Sequence, residues 1–311
     1  MNGSWVAGSV RARAMARRRL GAGAARSLAG MPSLDDAVDV LAASPYGHDV
    51  RPGQSLEQVQ HAVAATVLWH LRVLAGWVPH GDARILRVLA GGFEVANTDD
   101  HVRALSNGTD TKPFRLGGLA TAWPWISTAT SLPAVREALA RSAWGDPEAE
   151  TPAAFHLSMR VAWADRVAAQ IPGIRPWAGG AVALLMAREL IVAGHRPTAA
   201  IVRTTGSMLG SGWIDARTIP ALAAAVPTSA RWALAGVEGP EDLWRAEVGW
   251  WARVERDGFT LLHQPVASPD SVVGAAAVMA ADAWRVRAAL EVAARGGSED
   301  TRALEAFDAV A

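Results

Sequence analysis

The string Asp35-Asp36-Ala37-Val38-Asp39 is where this chain comes nearest to chemistry, because it matches the DDxxD spacing in which carboxylates gather magnesium around a diphosphate. Magnesium prefers hard oxygen donors, and carboxylates with substrate phosphates are its usual ligands. A structural reading competes: Ser33 stands as a helix N-cap, and the acids fall in the first turn, where unpaired N–H groups and the helix dipole favour negative charge. No Asn/Asp–Ser/Thr–Glu string follows downstream to supply a second magnesium element. The eight histidines show no H-E-x-x-H spacing, and the closest pair, His61 and His70, does not stack on one turn. Gly21-Ala22-Gly23 follows an arginine-rich helical segment rather than a strand and lacks the third glycine of a dinucleotide fingerprint. The Gly/Ser-rich stretch from Thr204 to Trp213 lacks the Gly-Lys-Ser/Thr ending of a phosphate loop. The expectation is a non-catalytic chain with no metal, no cofactor and no direct ATP binding.

The elements that would position any site read as helices. Oxygen-bearing caps followed by Pro or an acid recur at Ser33, Ser55, Thr151-Pro152, Asp215, Ser268-Pro269-Asp270 and Ser298-Glu299-Asp300, and Gly239-Pro240-Glu241-Asp242 reads alike. Apolar residues then recur at helical spacing, as in Val59, Val63, Val67, Leu71 and Leu74, or Leu243, Trp244, Val248, Trp251 and Val254. Strand-like alternation is nearly absent. Pro/Gly-rich breaks fall near 108–117, 144–152, 171–180, 194–197 and 264–269, so about a dozen helices in short-loop succession is the expected architecture.

Composition agrees and narrows the partners. Alanine dominates a chain that is 50% hydrophobic over 311 residues, and alanine loses no side-chain entropy in a helix. Thirty basic and thirty acidic side chains cancel, which argues against nucleic acid. The absence of cysteine fits a reducing compartment, the cytoplasm by default. Lys112 is the single lysine, so Schiff-base and P-loop lysine chemistry have no other candidate. Six arginines lie between Arg11 and Arg26 without an apolar region after them, which argues against a secretory signal. The longest uncharged stretch, Leu116 to Val135, is broken by Pro, Ser and Thr, so no membrane span is expected. Fourteen tryptophans are many, and Trp69, Trp77, Trp163, Trp244, Trp250 and Trp251 fall on apolar helix faces, as core filling or as partner contacts. A faint internal echo is present: Glu94 precedes Gly108, and Asp282 precedes Gly296, by the same interval, whereas 181–194 has the apolar-to-glycine shape without the leading acid.

Three stretches resemble the C subunit of archaeal and bacterial V-type ATPases, called subunit d in the vacuolar enzymes. Trp5 to Met15, followed by Ser33-Leu34 and Ser44-Pro45-Tyr46-Gly47, is similar to the family's aromatic-initiated arginine helix and T/S-x-Y turn. Gly92-Phe93-Glu94-Val95-Ala96-Asn97, continuing to Arg103-Ala104-Leu105, is similar to its aromatic–acid–Asn–arginine helix and is the most specific of the three. Val272 to Gly296, with Asp282-Ala283-Trp284-Arg285-Val286-Arg287, is similar to its final repeat, and Leu209 to Asp215 resembles a glycine-containing turn between later repeats. The chain departs from the pattern at 181–194 and in carrying Ala at many charged family positions.

The resemblance implies an all-α fold of three similar helical-bundle domains in a pseudo-threefold funnel, with boundaries near 1–113, 114–210 and 211–311. It implies a non-catalytic rotor subunit, a monomer within a hetero-oligomer, peripheral on the cytoplasmic face of the membrane, linking the central-stalk subunits to the proteolipid ring during ion transport. It points to Glu94, Asn97, Arg103, Asp282, Arg285 and Arg287 as candidates for the partner interface. Two other readings remain: a magnesium-dependent, all-helical isoprenoid synthase using Asp35, Asp36 and Asp39, and a helical scaffold for an unrelated partner.

Overall fold

A computed structural model describes residues 5–108 and 112–297, and every regular element among them is helical. The chain divides into two compact units, one built from 1–86 together with 251–311 and the other from 87–250. The first unit is therefore discontinuous in sequence, and the boundaries expected near 113 and 210 both fall inside the second. The helices in chain order are α1 (Val6–Ala16), α2 (Ala22–Ala29), α3 (Leu34–Ala42), α4 (Leu56–Ala75), α5 (Ala83–Leu89), α6 (Gly91–Asn107), α7 (Trp123–Ile126) and α8 (Leu132–Ala140). There follow α9 (Pro152–Gln170), α10 (Arg175–Met186), α11 (Ala199–Leu209), α12 (Ile219–Ala225), α13 (Thr228–Arg231), α14 (Leu243–Leu262) and α15 (Pro269–Ala293). No helix among the described residues is long and apolar enough to cross a membrane.

Side-chain caps start the helices where the sequence placed them. Ser33 accepts from the Asp36 N–H, Thr151 from Ala154, and Ser268 from Asp270, while Ser55 and Gln58 form a reciprocal capping box. Asp215 is an exception: it lies in a turn, and the next helix begins instead at Thr218, whose side chain accepts from Ala221. A cap requires extended backbone at the capping residue followed by helical residues, and the Ala216-Arg217 interval before Thr218 does not provide it. The start expected at Ser298-Glu299-Asp300 lies outside the described residues.

In the first unit α15 is the central element. It packs against α1, α2, α3 and α4, and its Ala- and Val-rich sequence leaves most of its circumference buried. A helix apolar all round has no solvent face, so it belongs in the middle of a bundle. Gly274 permits its contact with α14, since a Cβ there would lie 2.5 Å from the Gly258 carbonyl oxygen. In the second unit α9 lies against α6, α10 and α11, over a core that includes Val95, Ile126, Leu139, Trp144 and Phe155.

Candidate functional site

Two buried carboxylates organise the positions that the sequence singled out. Glu94, on α6, is 1% exposed, and its carboxylate faces the start of α7. Oε2 accepts from the Thr121 N–H at 2.8 Å, and Oε1 accepts from the N–H groups of Ala122 and Trp123, the latter at 2.7 Å. Ala122, the residue before α7, has no side chain able to cap it, so Glu94 satisfies from a distant helix the donors that a local Ser or Asp would otherwise meet. The indole N–H of Trp144 adds a fourth donor at 3.3 Å. The Arg166 guanidinium stacks over the Trp144 ring, 4.7 Å from its centroid, and burial holds its pKa below the ordinary arginine value against the opposing pull of Glu94.

One turn further along α6, Asn97 is fully buried and pairs with the backbone of Phe114 in both directions. Its Nδ2 donates to the Phe114 carbonyl at 2.9 Å, and its Oδ1 accepts the Phe114 N–H at 2.7 Å. Glu94 and Asn97, three residues apart on one helix face, thus tie down two points of the irregular segment between α6 and α8.

Asp282 does the corresponding work in the first unit. It is 0% exposed, at mid-length of α15. Oδ1 accepts from the Gly21 N–H at 2.7 Å, and Oδ2 accepts from the Leu20 N–H at 2.9 Å and from the Tyr46 hydroxyl at 2.8 Å. Gly21 precedes α2 with φ 84° and carries no side-chain cap, so a distant acid again holds a helix start. Burial and the adjacent Asp282 push the Tyr46 phenol well above its ordinary pKa, which keeps the hydroxyl proton available for donation. Three residues on from Asp282, Arg285 approaches its carboxylate at 3.8 Å and forks onto Glu255 of α14 at 2.5 and 3.2 Å.

A third helix lacks the acid. Gly108, Gly194 and Gly296 all have positive φ, of 69°, 69° and 87°: Gly108 is itself the C-cap of its helix, Gly194 follows the C-cap Ala193, and Gly296 lies two residues beyond the C-cap Ala294. Counting back from each by the interval that leads to Glu94 and Asp282 reaches Gly180, on α10. There the ring of Trp232 packs closely against the helix: a Cβ on Gly180 would lie 2.7 Å from Trp232 Cζ2.

These positions correct the expectation of a partner interface. Glu94, Asn97, Asp282 and Arg285 are inside their own units and bind their own chain. Of the six candidates, Arg103 and Arg287 are exposed, and Arg103 pairs with Asp100 at 2.9 Å on its own helix. Glu255 was missed by the sequence reading, although its place on the apolar face of α14, one turn after Trp251, is the available signal. Of the named tryptophans, Trp77 is half exposed, whereas Trp69, Trp163, Trp244, Trp250 and Trp251 are partly buried. Trp125, at 63%, is the most exposed aromatic among the described residues.

Asp35, Asp36 and Asp39 lie exposed along α3, and the Ser33 hydroxyl donates to the Asp36 carboxylate. Among the described residues no group of three or more His, Asp or Glu side chains is arranged to hold a metal ion. No protein-family model and no curated protein matches the chain.

Proposed function

We propose that this chain is a non-catalytic coupling subunit of a V-type rotary ATPase, built from three related helical segments and joining the central stalk to the proteolipid ring. The observation that carries the reading is the recurrence of one device: Glu94 and Asp282 each hold the start of another helix, each at the same interval from a left-handed glycine. Gly180 occupies the third position without an acid, so two of the three segments share the device, as divergent copies of a duplicated segment would. The funnel, the peripheral membrane location and the stalk and ring partners all rest on the resemblance of the Glu94 and Asp282 segments to that family. Buried clamps suit a part that transmits force, because each ties an irregular segment to a rigid helix at several points.

Exposed Trp77 and Trp125, together with Arg103 and Arg287, are the side chains available for such contacts. A stable contact of this kind buries at least about 1,000 Å² in total. Tagged protein purified from native membranes in mild detergent should bring down an ATPase head, a stalk and a proteolipid. Its deletion should leave ATP hydrolysis while abolishing ATP-driven ion pumping. Recovery of the tagged chain without any of those subunits, under conditions that keep other rotary complexes intact, overturns the proposal.

A further inference from the structure

The last turn of α1 leads into Arg17, Arg18 and Arg19, all exposed, and none of the three has an ion-pair partner among the described residues. Arg18 and Arg19 stand over a small pocket in the first unit, whose wall includes Tyr46, Thr66, His70 and Asp282. It has room for about one group the size of a water oxygen. His70 is 6% exposed, yet its Nδ1 has no hydrogen-bond partner. Buried polar atoms are nearly always paired, so this ring nitrogen is open to a hydrogen-bonding group in the pocket, a water or a ligand oxygen.

Charge indicates what kind of group. Asp282 is the one acid on the pocket wall, and its two oxygens are already engaged by Leu20, Gly21, Tyr46 and Arg285. The other titratable groups that bear on His70 are Arg18, His48 and Arg11, which lower its pKa, and Asp49, which raises it. The pocket therefore combines two exposed guanidinium groups at its mouth, that of Arg19 stacked over the Phe259 ring and donating one N–H to the Ala16 carbonyl, with a buried imidazole inside, and guanidinium forks match the oxygens of a phosphate better than those of any neutral ligand.

We propose that this pocket binds a phosphate group, one oxygen entering beside His70 and the others meeting the guanidinium groups of Arg18 and Arg19. A phosphate offers oxygens to both guanidinium groups and, in the tautomer that carries the proton at Nδ1, to the His70 ring N–H, and only one oxygen must enter the pocket. The group belongs either to a free phosphate ester or to the headgroup of an anionic lipid. This site stands independently of the coupling role proposed above. A bound dianion draws a proton toward His70, which burial and Arg18 otherwise hold neutral, with the pKa pushed down to about 4.

Inorganic phosphate titrated into the full chain, followed by calorimetry and by the imidazole resonances of His70, tests the site. Saturable binding in the millimolar range or tighter is expected, with the His70 titration midpoint moving upward on saturation. Arg18→Ala, a surface change, should weaken binding by about tenfold or more, whereas Arg17→Ala, one residue away and off the pocket wall, should change it by less than about twofold. Vesicles of phosphatidylcholine with and without phosphatidic acid form the second arm. Binding only to the acidic vesicles, lost in Arg18→Ala, identifies a lipid headgroup, and binding of phosphate without vesicle binding identifies a free ester. Absence of saturable binding in both arms, equal losses in Arg17→Ala and Arg18→Ala, or a His70 resonance that phosphate leaves unmoved would each overturn the proposal.

Discussion

Glu94 and Asp282 solve one problem with different means. Each is a buried acid on a long helix that holds the beginning of another helix, but Glu94 is balanced mostly by neutral donors, three backbone N–H groups and an indole. Asp282 is balanced by two N–H groups, a phenol and a guanidinium, and that guanidinium is itself forked onto Glu255. A buried charge met by dipoles loses stabilisation in portions as donors are removed. A buried chain of alternating charges is left uncompensated when any one member goes. The two clamps should therefore fail differently, and the first unit should be the more sensitive to charge.

The largest effect should come from breaking the charge chain. Glu255→Ala leaves Arg285, 1% exposed, with only the longer contact to Asp282, and Asp282→Ala leaves Tyr46 and two backbone N–H groups unmet. Removing one partner of a buried pair costs about 3–5 kcal/mol. Urea denaturation should register a loss of that size for either variant. A loss under about 1 kcal/mol would mean that water reaches the network and that the contrast between the clamps is false.

Acid should separate the two regions next. His70 lies beside the Asp282 clamp, and its pKa is pushed from 6.5 to about 4 by burial and Arg18. The folded state thus prefers the neutral ring, whereas the unfolded chain takes up a proton below about 6.5, so stability is intact above that pH and falls as pH drops toward 4. The interval is worth up to about 3 kcal/mol. Thermal melts between pH 7 and pH 4 should show that decline, and His70→Gln should flatten it. An unchanged slope in His70→Gln would place the acid sensitivity elsewhere.

The Glu94 clamp should lose less and lose it in steps. Glu94→Gln keeps one oxygen for the N–H groups at the start of α7 and should cost about 2 kcal/mol, with Glu94→Ala costing more because the Trp144 indole also loses its partner. Hydrogen exchange at Thr121 to Trp123 reads the local opening directly. Equal costs for Gln and Ala would show that charge, not donor count, is what the site needs.

How much of this was legible follows from range. Ser33, Ser55, Thr151 and Ser268 cap helices a few residues away, and their roles could be read from spacing because the partners are local. Glu94 and Asp282 stand out in the sequence as members of a pattern, and the family resemblance points them toward a partner interface rather than toward the interior. Their partners lie 27 to 29 residues away for the Glu94 backbone contacts, and 261 to 262 for those of Asp282. No periodicity links such positions. Asp215 misled for the opposite reason: its type fits a cap, but the chain around it turns rather than entering a helix. The division into units was equally hidden, because one unit takes its helices from both ends of the sequence.

Gly180 offers a sharper form of the comparison at a lower expected cost. With the Trp232 ring packed against Gly180, adding even a methyl group should force the ring aside: Gly180→Ala places a Cβ 2.7 Å from Trp232 Cζ2 and 3.1 Å from the Ala233 Cβ. Overpacking of this sort costs about 1–3 kcal/mol. Tryptophan fluorescence should shift in the same variant. Full stability with an unmoved Trp232 would show that the third helix is not built around this contact.

The smallest effects distinguish the acidic string of α3 from both clamps. Ser33 accepts the Asp36 N–H, and Asp35, Asp36 and Asp39 remain exposed, so their part in the structure is that of a helix beginning. Ser33→Ala should cost about 1 kcal/mol through the lost cap. Asp35→Asn should cost only a few tenths of a kcal/mol, the value of a carboxylate near a helix N-terminus at moderate salt. Asp39→Asn, beyond the first turn, should cost less still. Neither Asp variant should disturb the packing of another segment, because neither side chain holds a distant segment as Glu94 and Asp282 do. The same proteins test the enzyme reading. Magnesium with inorganic diphosphate should leave the melting temperature of the native chain unchanged; a rise that disappears in Asp35→Asn and Asp39→Asn would mean that the string binds a metal and would favour the enzyme reading.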